Sequence, residues 1–483
     1  MPLVIPSINL GAVVPEIILT LAGCFVLLID VFSKRRGHDR IAYLSLAAVV
    51  AAFLAAAVPS DPFTTFSGMY SADRFTQFFK LIFLLGTGMT ILISVRYAED
   101  EKINHGEYYA LLLFATVGMM FMAAGSDMMT IFMGLELLSV CLYVLAGYTR
   151  ERLVSNEASL KYFLLGAFAS GFLLYGMAFV YGVTGHTQLG EIAAAISRGP
   201  DNMLLLTIAA ALMLVGFGFK IGIVPFHQWT PDVYQGSPIP VTAFMSAGPK
   251  AAGLAALLRV FYEGVIYLQV DWSVWFAVLA VMTMTVGNVA ALVQDDAKRM
   301  LAFSSIAHAG YAMVGIVAVT NDGVSSVMYY MLVYTFMNIG AFGIMALVAR
   351  RNEQKTKVSD FAALAYKNPV LAMVMTILIF SLAGIPPMAG FLAKFYVFMS
   401  ALKSGHTMLV LAAVINSAIG IYYYLRFVVV MYMREKEERE PLPPLKASPA
   451  LIVALLIAMY GVIGLGINPA AYLDFAGKAF ISF

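Results

Sequence analysis

Four ionisable side chains stand inside apolar runs: Glu136 in IFMGLELLSVCLYVL, Lys220 in LVGFGFKIGIVPF, Lys250 in FMSAGPKAAGLAAL and Lys394 in GFLAKFYVF. Near the centre of a membrane helix each such charge costs roughly 2.5–3.5 kcal/mol, so four together cost on the order of 10–15 kcal/mol, comparable with the net stability of a whole domain. Residues that expensive persist when they pair, meet water or lose their charge. An amine kept out of water is poised between its charged and neutral forms and can take up and give up a proton. A nearby carboxylate would hold such an amine charged, and withdrawing the carboxylate would release the proton. The chemistry these four residue types support is proton transfer.

Three further residues extend the set, each with a plainer reading beside it. His308 in SSIAHAGYAMVG sits deep in an apolar run, where it is either a relay between lysines or a satisfied interior histidine. His227 follows Pro225 in VPFHQW and could admit protons near a helix break. Lys161 lies four residues after Glu157, so a helix-surface ion pair or a snorkelling side chain explains it as well as a proton path does. Arg426 reads as a snorkelling anchor near a helix end.

Composition says what must hold these groups. Of 483 residues, 61% are hydrophobic and 12% charged, against about 45–50% and about 25% in soluble domains. The mean hydropathy is +0.85. The solvent for this chain is lipid. A net charge of +2 and the lack of any basic cluster with interleaved aromatics give no sign of nucleic-acid binding. Cys24 and Cys141 form no C-x-x-C, so no disulfide framework, zinc site, iron–sulfur cluster or other redox centre is expected here. GFGFKIG and GVIGLGINP lack the strand–turn–helix context of a dinucleotide site and read as close helix packing through small residues.

A spanning helix needs about 20 mostly apolar residues. The sequence predicts an all-α polytopic membrane protein of about fourteen transmembrane helices, centred near residues 22, 49, 84, 115, 137, 170, 213, 250, 282, 308, 336, 383, 419 and 460. The apolar stretch starting near Val13 has KRR behind it at 34–36 and no cation ahead, the reverse of a signal peptide, so it reads as span one. Loops after odd-numbered spans hold nineteen of the thirty lysines and arginines, which predicts that both termini face outside. Spans seven (IVPFHQWTPDVY) and twelve (GIPPMAGFLAKFYVF) carry prolines and lie five spans apart. A repeat of an odd number of spans must be inverted, and inverted repeats with matching broken helices are a transporter signature. The expected organisation is a single transmembrane domain over 1–483. It divides into spans one to three (1–105), a first inverted five-helix repeat (106–262, spans four to eight), a second (263–433, spans nine to thirteen), and an inner loop with span fourteen (434–483).

These residues carry a family likeness. Glu136 in span five, Lys220 before VPFHQWTPDVYQGSPIPV, Lys250 in span eight, KRMLAFSSIAHAGY in span ten and GIPPMAGFLAKF in span twelve resemble the antiporter-like subunits of respiratory complex I, the proton-translocating NADH–quinone oxidoreductase. They also resemble the large subunits of multisubunit sodium/proton antiporters. The likeness covers nearly the whole chain. Within the complex I group, fourteen spans, fewer than 500 residues and lysine at 394 most resemble the N-type subunits; the M type carries glutamate there and the L type is longer. Pro249 beside Lys250 departs from the pattern and predicts a local shift of that side chain.

The resemblance implies a bacterial inner-membrane protein with both termini periplasmic. Its partners would be the M-type subunit on one side, the K subunit on the other, and the lateral helix of the L-type subunit. NADH, FMN, iron–sulfur clusters and quinone would be bound by partner subunits, with no cofactor or metal in this chain. It implies Glu136 and Lys220 as a charge pair, Lys250 as a bridge and Lys394 as the group delivering protons outside, with Lys161, His227 and His308 as accessories. The alternative it leaves is a cation/proton antiporter subunit without redox coupling. A stand-alone carrier of an organic solute fits less well, because the ionisable residues recur along the chain instead of clustering around one break.

Overall fold

A computed structural model describes residues 8–32, 39–59, 61–200, 202–268, 272–349, 353, 355–433, 445–477 and 479. Eight of the nineteen loop cations, Lys34, Arg35, Arg36, Arg350, Arg351, Arg434, Lys436 and Arg439, lie outside these residues, as does Lys478 near the C-terminus. Nineteen α-helices are present among the described residues: α1 (Val14–Phe32), α2 (Asp39–Ala57), α3 (Arg74–Asp100), α4 (Gly106–Ala124), α5 (Met128–Ala146), α6 (Leu153–Thr184), α7 (Leu189–Ser197), α8 (Met203–Ile221), α9 (Trp229–Gly236), α10 (Ile239–Leu258), α11 (Trp272–Leu292), α12 (Ala297–Val317), α13 (Asn321–Ala349), α14 (Leu364–Lys367), α15 (Pro369–Ala383), α16 (Ala389–Lys403), α17 (Thr407–Met433), α18 (Pro449–Ile467) and α19 (Ala470–Gly477). One hairpin, β1 (Phe63–Thr65) with β2 (Tyr70–Ala72), precedes α3 and pairs Thr64 with Ser71.

Among the described residues, thirteen helices are long and apolar enough to cross a membrane. The remaining crossing, span twelve, is made of two half-helices, α15 and α16, of 15 residues each. Span seven is likewise split, into α8 and the short α9. The polar connection GHTQLGEIAAAISRGPDN, at 185–202, contains α7. α10 runs unbroken through Pro249.

Side-chain caps start several spans. Asp73 accepts from Thr76 N at 2.8 Å, Asp127 from Met129 N at 2.8 Å and Asp296 from Arg299 N at 2.9 Å, satisfying donors that a helix start leaves free. Small residues then bring helices together. A Cβ on Gly216 of GFGFKIG would stand 2.5 Å from Leu173 Cβ of α6, and one on Gly461 of GVIGLGINP would stand 2.3 Å from the Phe336 ring of α13. Both glycine patterns are packing seams.

Burial sorts the helices into layers. The most apolar windows of α10 and α12 are wholly buried and those of α3 and α13 nearly so, whereas α1, α2, α6 and α17 bury about a third. The centre of the bundle is therefore built from α10, which carries Lys250, and α12, which carries His308.

The two breaks share one construction. α8 ends at Gly222 (φ +79°), with Gly222 N and Ile223 N both donating to Gly218 O at 2.9 and 3.0 Å. α15 ends at Gly384 (φ +84°), with Gly384 N and Ile385 N donating to Phe380 O at 3.1 and 3.0 Å. A left-handed residue is needed at that point of the helix stop, and glycine takes it without steric penalty. Proline follows in each case, in GIVP and GIPP, and keeps the helix from resuming at once.

Candidate functional site

Lys220 occupies the last turn of α8, at the first break. Its Nζ donates to Ser139 Oγ of α5 at 2.8 Å and lies 5.9 Å from the centre of the Tyr162 ring. Tyr162 in turn stacks on Trp229 of α9 at 4.4 Å, and the indole N–H is fixed on Phe219 O at 2.9 Å. Ser139 stands one turn beyond Glu136 on α5, so both face one side. Glu136 is half-buried, its Oε1 is buried without a hydrogen-bond partner, and its charge acts on Lys220 through space. The ammonium's hydrogen bond goes to the serine.

Lys250 comes next. Gly253, one turn further along α10, faces the stem of Lys220, since a Cβ there would come within 3.6 Å of Lys220 Cγ. The Lys250 Nζ donates to Ser305 O of α12 at 2.9 Å and lies 5.9 Å from the centre of the Tyr234 ring. It also lies over Gly222, within 3.7 Å of where a Cβ would be. Thr230, Tyr234, Ser305, Tyr334 and Asn338 are all buried here, with the Tyr234 and Tyr334 hydroxyls both near Ser305. Buried polar side chains must find partners in a core, so this gathering of them beside Lys250 sets the region apart from ordinary apolar packing.

His308 lies on the same helix as Ser305. Its Nδ1 is hydrogen-bonded to Tyr330 OH at 2.6 Å and its Nε2 to Tyr424 OH at 3.1 Å; Tyr424 OH also bonds Ser304 Oγ. The imidazole is therefore partnered on both nitrogens, and its charge environment includes both Lys250 and Lys394. Tyr311, one turn on, stands edge-on to the imidazole at 5.7 Å. Across that tyrosine ring, 4.8 Å from its centre, is Lys394 Nζ. Lys394 donates to Ser417 Oγ of α17 and to Ala383 O, each at 3.0 Å. Ala383 is the last residue of α15, so the second break supplies the acceptor from its unpaired last turn.

Contacts thus link Lys220, Lys250, His308 and Lys394 in turn, with Glu136 one helical turn from Ser139 at the Lys220 end. His227 is half-buried in the first break, with Nδ1 lacking a hydrogen-bond partner and Lys250 among the charges acting on it. Lys161 pairs with Asp232 of α9 and not with Glu157, correcting the local ion pair considered above. Asp232 also takes Arg299 Nη1 at 2.6 Å. Arg426 is an end anchor: it donates to Leu292 O at 3.0 Å and Asp295 at 2.9 Å.

Several polar partners were not singled out from sequence: Ser139, Ser305, Tyr330, Tyr424 and Ser417. Only Asp232 carried a signal, as an acid directly after the break in WTPDVY. Three cations of the loops and helix starts, Lys298, Arg259 and Lys80, prove to be buried, and Arg152 is half-buried. Lys298 bonds Glu353, and Arg152 reaches the same carboxylate at 3.1 Å. Arg259 is clamped by Asp73 and Glu263 at 2.7 and 2.6 Å, and Lys80 by Glu16 at 2.8 Å. Among the described residues no group of three or more His, Cys, Asp or Glu could hold a metal ion.

Residues 125–420 match the family described as "NADH:quinone oxidoreductase/Mrp antiporter, TM". A NADH-quinone oxidoreductase subunit N of Trichlorobacter lovleyi is 51% identical over 98% of this chain and 97% of its own. One from Chloroflexus aggregans is 44% identical, covering 97% and 96%. Among solved structures, a chain of respiratory complex I from Thermus thermophilus superposes with a TM-score of 0.81 at 33% identity, covering 96% of this chain and 100% of that one. A chain of the Mrp complex from Dietzia shares the fold, with a TM-score of 0.83 at 21% identity over 98% and 97% of the two chains.

Proposed function

From the premise that the chain belongs to the subunit N family of NADH-quinone oxidoreductase, we propose that Glu136, Lys220, Lys250, His308 and Lys394 form one proton path through it. The chain is a proton-translocating membrane-arm subunit of that oxidoreductase in a bacterial membrane, and its partners are other subunits of that arm. The observation that supports the path best is the succession of Lys220 on Ser139, Lys250 on Ser305, His308 between two tyrosine hydroxyls, and Lys394 on Ser417.

Protonation follows from charge. When the Glu136 carboxylate is near and ionised, it holds the Lys220 ammonium charged; when that influence is withdrawn, Lys220 gives its proton toward Lys250. A proton arriving on Lys250 raises the local positive charge and drives the next one from the His308 region to Lys394. Lys394 releases it at the outer half of α16. Lys161 and His227, both at the first break, are accessory groups on the intake side. The hydroxyls of Tyr234, Ser305 and Tyr334 supply the intervening donors and acceptors.

In this reading the basic-loop side is cytoplasmic and both termini are periplasmic. Residues 106–262 and 263–433 are inverted repeats, a division favoured by the matching glycine stops at 222 and 384. The M-type and K subunits flank the chain, and the lateral helix of the L-type subunit runs along it. NADH, FMN, iron–sulfur clusters and quinone belong to partner subunits, whose redox chemistry drives the path.

The competing reading is a cation/proton antiporter subunit without redox coupling. Purification in mild detergent separates the two. Flavin and iron–sulfur proteins are expected to copurify with the chain; recovery with antiporter subunits alone would sink the redox-driven reading.

A backbone change tests the second break without removing any titratable group. Gly384→Ala puts an L-residue at φ +84°, at a cost of about 1–2 kcal/mol, and its Cβ would stand 3.2 Å from Lys394 Nζ. The Lys394 side chain must then give way, which disturbs its hydrogen bond to Ala383 O. Slower proton pumping by an assembled complex is expected, measured in inverted vesicles; unchanged pumping would show that the position of Lys394 at the break is immaterial.

A further inference from the structure

Glu353 is a fully buried carboxylate that the proton path does not use. It lies in the connection between α13 and α15, outside the spanning helices. Three donors and one further cation reach it from four different parts of the chain. Its Oε1 accepts from Tyr97 OH of α3 at 2.5 Å and from Ile239 N, the first residue of α10, at 2.8 Å. Its Oε2 accepts from Lys298 Nζ of α12 at 2.7 Å and faces Arg152 Nη1, just before α6, at 3.1 Å. Lys298 also donates to Ser237 O at 2.6 Å, just ahead of α10. Although burial opposes ionisation, Lys298 and then Arg152 outweigh it and hold the carboxyl below its usual range.

Helical periodicity connects this cluster to the path. Lys250 follows Ile239 by eleven residues on α10, about three turns and about 16 Å along the axis. Ser305 follows Lys298 by seven residues on α12, about two turns and about 10 Å. Each pair therefore shares one face of its helix. The faces that meet at Glu353 at the helix starts are the faces that meet again at the Lys250–Ser305 hydrogen bond. One carboxylate thus ties the starts of both central helices, accepting from Ile239 N of α10 and from Lys298 Nζ of α12.

We infer that Glu353 is a positioning residue for proton transfer at Lys250, clamping the starts of α10 and α12 in the register that places Lys250 Nζ on Ser305 O. This rests on the proton-path reading given above. Glu353 touches no group on the path; it acts through the two helices that carry them. A shift of about 1 Å at a transfer site costs on the order of 10²-fold in rate, so a small slip of α12 against α10 is enough to matter.

The test uses the complete oxidoreductase in inverted membrane vesicles. Glu353→Gln keeps an acceptor for Tyr97 and Ile239 but removes the charge that holds Lys298. In assembled complex, kcat for NADH–quinone turnover and the rate of proton pumping are expected to fall by about tenfold or more, with the KM for quinone unchanged. Assembled complex that pumps at the unsubstituted rate overturns the inference. If E353Q fails to assemble, the double variant E353Q/K298M decides, because it removes both members of the buried pair while still cutting the clamp to α12. Slow pumping by the assembled double variant supports the clamp. Normal pumping, or failure of the double variant to assemble, assigns Glu353 to folding alone and overturns it. Lys250→Ala is measured alongside: an impaired K250A beside a normal E353Q rejects only the clamp, whereas normal pumping by K250A rejects the proton-path reading beneath it.

Discussion

Replacing Lys220 by alanine is expected to leave the complex assembled and to slow proton transfer through this chain by about 10²-fold or more, the usual loss when a positioned acid–base group is removed. Its surroundings make that expectation specific. The Nζ is donated to Ser139, held over Tyr162, and acted on by Glu136, and nothing else in the last turn of α8 is ionisable. Alanine also relieves the membrane of a costly charge, so the protein should insert at least as well as before. The sharper comparison is Lys220→Arg. Arginine keeps the positive charge and the donor to Ser139 but cannot release a proton in a protein. If the lysine serves only as a fixed countercharge to Glu136, K220R should pump normally while K220A fails. If it carries the proton, the two variants fail alike. Proton pumping and NADH–quinone turnover in inverted vesicles, normalised to assembled complex, decide between them. Normal pumping by K220A would leave Lys220 a structural residue.

Why one part of this site was readable in the sequence and another was not follows from the range of the interactions. The spans are local properties of apolar runs about 20 residues long, and the breaks are local properties of GIVP and GIPP, so both could be placed without a structure. Lys220, Lys250 and Lys394 stood out because a charge in an apolar run is expensive on its own account. Lys161 shows the limit. Its nearest acid in sequence is Glu157, but its partner is Asp232, 71 residues away on α9. Lys298 shows it again: as a cation at the start of a span it counts toward orientation, yet Glu353, 55 residues on, draws it wholly inside. The hydroxyl groups that join the lysines were invisible for a different reason. The chain has 25 tyrosines, and nothing local separates Tyr330 and Tyr424, which bracket His308, from those that only fill space.

Lys394→Ala is the second large effect expected, and its contrast with Arg426→Ala tests where protons leave. Both residues are basic, both lie in the second half of the chain, and a reading based on charge alone would treat them together. Their surroundings differ. Lys394 is 6% exposed, donates to Ala383 O at the second break, lies against Tyr311, and makes no ion pair among the described residues. Arg426 holds Asp295, a largely exposed partner, and caps Leu292 O at the end of α11. Removing such an exposed pair typically costs about 1 kcal/mol or less, a stability change too small to stop turnover. K394A should therefore slow pumping by about 10²-fold, as for any lost acid–base group on the path, while R426A should pump near the unsubstituted rate. Lys394→Glu refines the contrast. A carboxylate can titrate, but once ionised it only accepts hydrogen bonds, and here it would confront the Ala383 carbonyl. It is expected to fail with K394A. If instead R426A stopped pumping and K394A did not, the exit would run along α17 at the basic end, and the second break would be a feature of folding without a part in transport.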